Sequence, residues 1–112
     1  MELLQKSKLL KLKRKNRGNT KLILAIDNLI SDIESVNWTN KIDIKKSRPD
    51  ADCVHNDGFY FFDINIHRTM ILIVFEDEEA IVVWAGSHDE YDKTFKGNKS
   101  TIKKWLRNQK MI

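Results

Sequence analysis

The chain has 112 residues, of which 41% are hydrophobic and 32% charged, with one proline and four glycines; this balance fits one folded domain over residues 1–112 and excludes a disordered or low-complexity chain. Cys53 is the single cysteine, which excludes an intramolecular disulfide framework or a cysteine-based zinc site and fits a reducing, cytoplasmic compartment. The net charge of +4 hides a strong segregation: eight basic residues and no acid lie between positions 6 and 21, seven and none between 93 and 110, and all sixteen acids fall in the remainder.

Glu2 to Gln5 reads as a short first strand. Leu9, Leu10 and Leu12 among lysines then predict a basic helix to about Lys15, broken by Arg17, Gly18 and Asn19. The lysines threaded through these leucines fit neither a secretory signal nor a membrane span. Thr20 is the expected N-cap of a second helix, in which Leu22, Ile26, Leu29, Ile30 and Ile33 recur at three- and four-residue steps as far as Val36. From Asn37 to Asp52 the chain reads as an ordered loop holding Trp38, a short turn around residues 42–46 and Pro49, whose ring keeps Arg48 extended.

Beyond Ala51 the period changes. Ala51 to His55, Phe59 to Ile64, Arg68 to Phe75 and Ala80 to Ala85 are rich in β-branched and aromatic residues and predict four strands. Turn signals at Asn56–Gly58, Asn65–His67 and Asp77–Glu79 make them an antiparallel meander. The unalternating runs 70–75 and 81–84 predict central strands covered on both faces, one cover being the N-terminal helix pair. Ser87 followed by Glu90 is a capping box opening a short helical turn, and Ile102, Trp105 and Leu106 mark one face of a last, basic helix over 101–108. The expected fold is α+β, with helices packed on a small, mostly antiparallel sheet.

Arg48-Pro49-Asp50-Ala51-Asp52, then Phe61-Phe62-Asp63-Ile64, then Arg68 opening an apolar strand, then Gly86-Ser87-His88-Asp89-Glu90-Tyr91-Asp92-Lys93 follow one another as in HigB-type toxins of the RelE/ParE-like superfamily, which this chain resembles from about Trp38 to Lys93. The most specific piece is His88-x-x-Tyr91-Asp92-Lys93 after an apolar strand. The resemblance implies a RelE-like fold, metal-independent cleavage of messenger RNA, commonly on the translating ribosome, and neutralisation by a helix-turn-helix antitoxin. It implies no cofactor.

Metal-free RNA cleavage needs a base for the 2′-hydroxyl proton, an acid for the leaving 5′-oxygen, and cations around the phosphate. His88 is the first candidate for proton transfer, since imidazole titrates near neutrality, and His67 is the second. His88 could equally be a structural residue of the strand-to-helix turn or a group that stacks on RNA. Tyr91, three residues later on the same side of a helix, could stack on a base or close a core. Arg68 and Lys93 supply cations, Arg68 either forking onto phosphate or pairing with Asp63. Lys11, Arg14 and Lys15 in the first helix, and Lys45, Lys46 and Arg48 before the sheet, are candidate RNA contacts or solvated surface. The three histidines lack metal-ligand spacing, so no metal is expected, and Cys53 reads as a strand residue rather than a nucleophile.

Overall fold

The computed structural model describes residues 1–112. The order is β1 (Glu2–Leu4), α1 (Ser7–Lys15), α2 (Thr20–Ser35), α3 (Lys41–Ser47), β2 (Asp52–His55), β3 (Phe59–Ile64), β4 (His67–Val74), β5 (Glu79–Gly86), α4 (His88–Phe95) and α5 (Lys99–Asn108). The fold is α+β, and its five-stranded sheet runs β1-β5-β4-β3-β2. The four meander strands pair antiparallel, whereas β1 joins the far edge parallel to β5, Leu3 lying beside Ala80. The sheet is therefore mixed, and β5, β4 and β3 are its interior strands.

Alternation along the interior strands builds two cores. Tyr60, Phe62, Ile71 and Ile73 face one side, where they meet Leu9, Leu22, Ile26, Leu29 and Ile33 from α1 and α2. Phe59, Phe61 and Met70 face the other, where they meet Tyr91 and Phe95 of α4 and Ile102 and Leu106 of α5. Each fully buried aromatic or aliphatic side chain of this kind contributes about 1.5–3 kcal/mol. The unalternating runs are thus explained by helices on both faces, with the α4–α5 pair as the second cover.

Local differences from the sequence reading have identifiable causes. Asn19, not Thr20, caps α2, its side chain accepting from Leu22 N at 3.1 Å. The loop before the sheet contains a helix, α3, because the Asn40 side chain caps it and Ile44 is buried beneath it. The β3–β4 turn has only two residues: Ile64 pairs with His67, and Asn65 takes a φ of 62° that asparagine tolerates. His67 therefore begins β4 instead of ending a turn. In β5 the register shifts between the Met70–Trp84 and Ile71–Val82 pairs, leaving Val83 as a bulge. That extra residue reverses the alternation, so Trp84 packs with the α4–α5 core and Ala85 with the α1–α2 core.

Candidate functional site

The end of the sheet where β4 begins and β5 finishes gathers His67, Arg68, His88 and Tyr91 of the candidate residues. His67 and Arg68 are successive strand residues and so point to opposite faces. Arg68 sits across from Asp63, and its Nε donates to Asp63 Oδ1 at 3.1 Å. Its guanidinium carbon lies 4.7 Å from the Tyr91 ring centroid and 5.5 Å from that of Phe61. No protein acceptor engages the terminal nitrogens, and the side chain keeps 24% of its exposure, so Arg68 is both paired and available.

His88 is delivered by the turn after β5. Gly86 has no Cβ, which would otherwise meet Trp84 Cζ2 at 2.8 Å, and the chain can therefore pass close over the indole. Ser87 then caps α4: its hydroxyl accepts from Glu90 N at 3.1 Å while Glu90 Oε1 accepts from Ser87 N at 2.9 Å. This reciprocal pair caps the helix at the residue before His88, which opens α4. The imidazole stacks on Tyr91 with ring centroids 6.3 Å apart and planes at 25°, and its Nε2 lies 3.3 Å from Asp92 Oδ2. The imidazole is 65% exposed. Tyr91 itself is buried, edge-on to Phe61 with centroids 5.0 Å apart, and forms a shelf under both Arg68 and His88.

Asp63, Asn65, Ile66, His67, Arg68 and His88 line an open hollow of about 500 Å³. A second hollow, of about 460 Å³, lies between α1 and the β5–α4 turn, with Lys8, Lys11, Lys15, Asn16, His67 and Glu90 in its walls. His67 is common to both. It is only 8% exposed, and its Nδ1 is sealed with no partner. Burial holds its pKa below the ordinary histidine value, against a smaller opposing effect of Glu90. The Glu90 carboxyl is in turn held low, chiefly by the Ser87 backbone N–H.

The other expected residues are elsewhere. Lys93 is exposed and, two residues beyond Tyr91, points about 160° around α4 from it. Arg14 is exposed on α1 but does not line the hollow that Lys11 and Lys15 do. Lys45 Nζ donates to Pro49 O and Ala51 O, both at 2.8 Å, and so closes the loop after α3. Lys46 is exposed on that helix. Arg48 lies on the opposite face of the sheet from Arg68, over the Phe62 ring. It donates to Asp32 Oδ2 at 3.2 Å, Asp50 Oδ2 at 2.9 Å and Asp63 O at 3.0 Å. Sequence reasoning gave Asp92 and Lys8 no role. The four-residue step from His88 to Asp92 and the steps Lys8, Lys11, Lys15 were the available signals.

Residues 24–94 match the family described as HigB_toxin, RelE-like toxic component of a toxin-antitoxin system. The match runs from α2 through α4 and takes in Arg68, His67, His88, Tyr91 and Lys93. The chain belongs to the HigB toxin family. Membership makes an antitoxin its natural partner, and the five helices on a mixed five-stranded sheet accord with a RelE-like fold. Among curated proteins none matches the chain significantly. Lys8, Lys11 and Lys15 lie outside the segment shared with the HigB family. No helix is long and apolar enough to cross a membrane, and no three His, Cys, Asp or Glu side chains are grouped to hold a metal ion.

Proposed function

We propose that this HigB-family toxin is a metal-independent endoribonuclease that cleaves messenger RNA in the cytoplasm while the message is on the ribosome, and that a helix-turn-helix antitoxin restrains it. One observation carries this reading: a cation with free terminal nitrogens, Arg68, and an exposed imidazole, His88, rest on the same buried tyrosine and open on the same hollow. RNA supplies its own nucleophile, so a shallow site that orients the phosphate and moves protons is sufficient.

In this reading the 2′-oxygen forms a bond to phosphorus as the bond to the 5′-oxygen breaks. An imidazole takes the 2′-hydroxyl proton, the leaving 5′-oxygen takes a proton from solvent water, and the products are a 2′,3′-cyclic phosphate and a 5′-hydroxyl, the imidazolium then returning its proton to solvent. His88 moves a proton, and His67, in the wall of the same hollow, is the alternative for that step. The terminal nitrogens of Arg68 fork onto the phosphate, where negative charge grows. Tyr91 holds Arg68 and His88 at one height, and Lys93, Arg14, Lys45 and Lys46 extend the positive field along the RNA or ribosome. Arg48, tied on three sides, supports the sheet end behind Asp63 and is left out of the RNA contact.

The test is the chemistry of the cut ends. Messages recovered from translating ribosomes treated with the protein should carry 5′-hydroxyls that a polynucleotide kinase labels without prior dephosphorylation. Intact message, or ends bearing 5′-phosphates, would refute the proposal.

A further inference from the structure

The second hollow has a charge pattern that the chain neutralises only in part. α1 has no acidic residue, and its lysines fall into two groups. Lys13 on one side is paired with Asp27, and Lys6 just before the helix with Glu34. Lys8, Lys11 and Lys15 share the other side at three- and four-residue steps, where like charges repel one another, and no carboxylate lies within ion-pair distance of any of them. The single acid in the hollow, Glu90, accepts from Ser87 N through Oε1 and feels the charge of Lys15, so it sets one negative charge against three positive ones. Three unpaired ammonium groups around a concavity of about 460 Å³ describe a place for an anion, and the volume falls in the range of small-ligand sites.

The position of this hollow indicates which anion. His67 lines it and also lines the hollow of Arg68 and His88, so the two hollows meet at this residue. We propose that the α1 hollow is a second phosphate subsite of the RNA track, in which Lys8, Lys11 and Lys15 seat the phosphodiester next to the one at Arg68. The inference rests on the RNA-cleavage reading above, and it assigns recognition of the flanking nucleotide to a part of the chain outside the family match.

Uncleavable 2′-O-methyl oligonucleotides separate the two claims, because a dinucleotide carries one phosphodiester and a trinucleotide two. With the full chain, the dinucleotide should move the NMR ring signals of His88. The trinucleotide should also move the side-chain amide signal of Asn16, which lines the α1 hollow and not that of Arg68, and bind with a salt dependence steeper by about 0.7 in the logarithmic slope. The double variant Lys11→Gln, Lys15→Gln, which keeps the side-chain stems, should abolish that extra slope and the advantage of the longer ligand. If the dinucleotide moves His88 and the trinucleotide gains nothing, the subsite is wrong and the RNA reading stands. If neither ligand moves His88, both are wrong. An equal loss for both ligands in the variant would make the lysines a diffuse field, and a hexaglutamate peptide that moves Asn16 where the trinucleotide does not would make the hollow a protein-docking surface; either overturns the proposal.

Discussion

The Arg68 guanidinium carbon lies 4.7 Å from the centroid of the Tyr91 ring, so a residue of the second core sets the height at which the cation stands over the sheet end. Tyr91 is 9% exposed, and its hydroxyl makes no hydrogen bond within the chain. Its ring, not its oxygen, therefore does the supporting.

Two substitutions separate support from direct contact. Tyr91→Ala removes a buried ring and is expected to cost about 3–5 kcal/mol of stability, read from a urea midpoint. Tyr91→Phe should stay within about 0.5 kcal/mol of the parent. Cleavage retained by Tyr91→Phe assigns the ring a shelf role, whereas a large loss at unchanged stability would place the hydroxyl on the RNA.

Asp63 is a positioning residue for Arg68, holding Nε at 3.1 Å. The carboxylate is 48% exposed, so Asp63→Asn should change stability by no more than about 1 kcal/mol. The guanidinium then loses the charge of its anchor and keeps at most a neutral hydrogen bond, and cleavage should fall with the loss concentrated in the single-turnover rate rather than in RNA affinity. An unchanged rate would show that the carboxylate charge is not needed to hold the cation.

Arg48 has the opposite profile. Its side chain is 15% exposed and bridges Asp32 of α2, Asp50 of the loop and the Asp63 carbonyl of β3. Arg48→Ala strands these acceptors and should destabilise the fold by about 2–3 kcal/mol, with Arg48→Lys recovering only part because an ammonium lacks the fork. The salt slope of RNA binding should be unaffected; a slope lowered at unchanged stability would make Arg48 an RNA contact.

The relation of these residues to the sequence is uneven, for physical reasons. The capping box at Ser87 and Glu90, the helix periods and the four meander strands were legible because each is a local pattern of a few residues. The parallel pairing of β1 with β5 was not, since three residues carry no period that names a partner. The Val83 bulge was equally silent: only the register with Met70 and Ile71 shows that Trp84 and Ala85 exchange faces. Arg48 looked like a free loop cation because its three acceptors come from segments far apart in the chain. His67 looked like a turn residue because the turn turned out one residue shorter, and with that residue it moved onto a strand and into the wall of both hollows.

His67 also gives the fold a pH signature. Burial lowers its pKa below the ordinary value of 6.5, so the unfolded chain binds this proton more readily than the folded one, and stability rises with pH between the two values. The contribution is intact above pH 6.5 and is lost as the pH falls below it. Chemical denaturation from pH 7.5 down to about 5 should show the parent losing stability more steeply than His67→Gln. Parallel profiles would mean that the ring is solvated.

The account as a whole depends on the His88 imidazole moving a proton at the Arg68 phosphate. The direct measurement is single-turnover cleavage of a defined message on translating ribosomes by His88→Ala and His88→Gln, with circular dichroism confirming that both fold. His88 is exposed at the start of α4, so neither change should disturb the core. The account predicts a fall of about 100-fold or more in both variants, with ribosome binding preserved. Cleavage at the parental rate by both would contradict it.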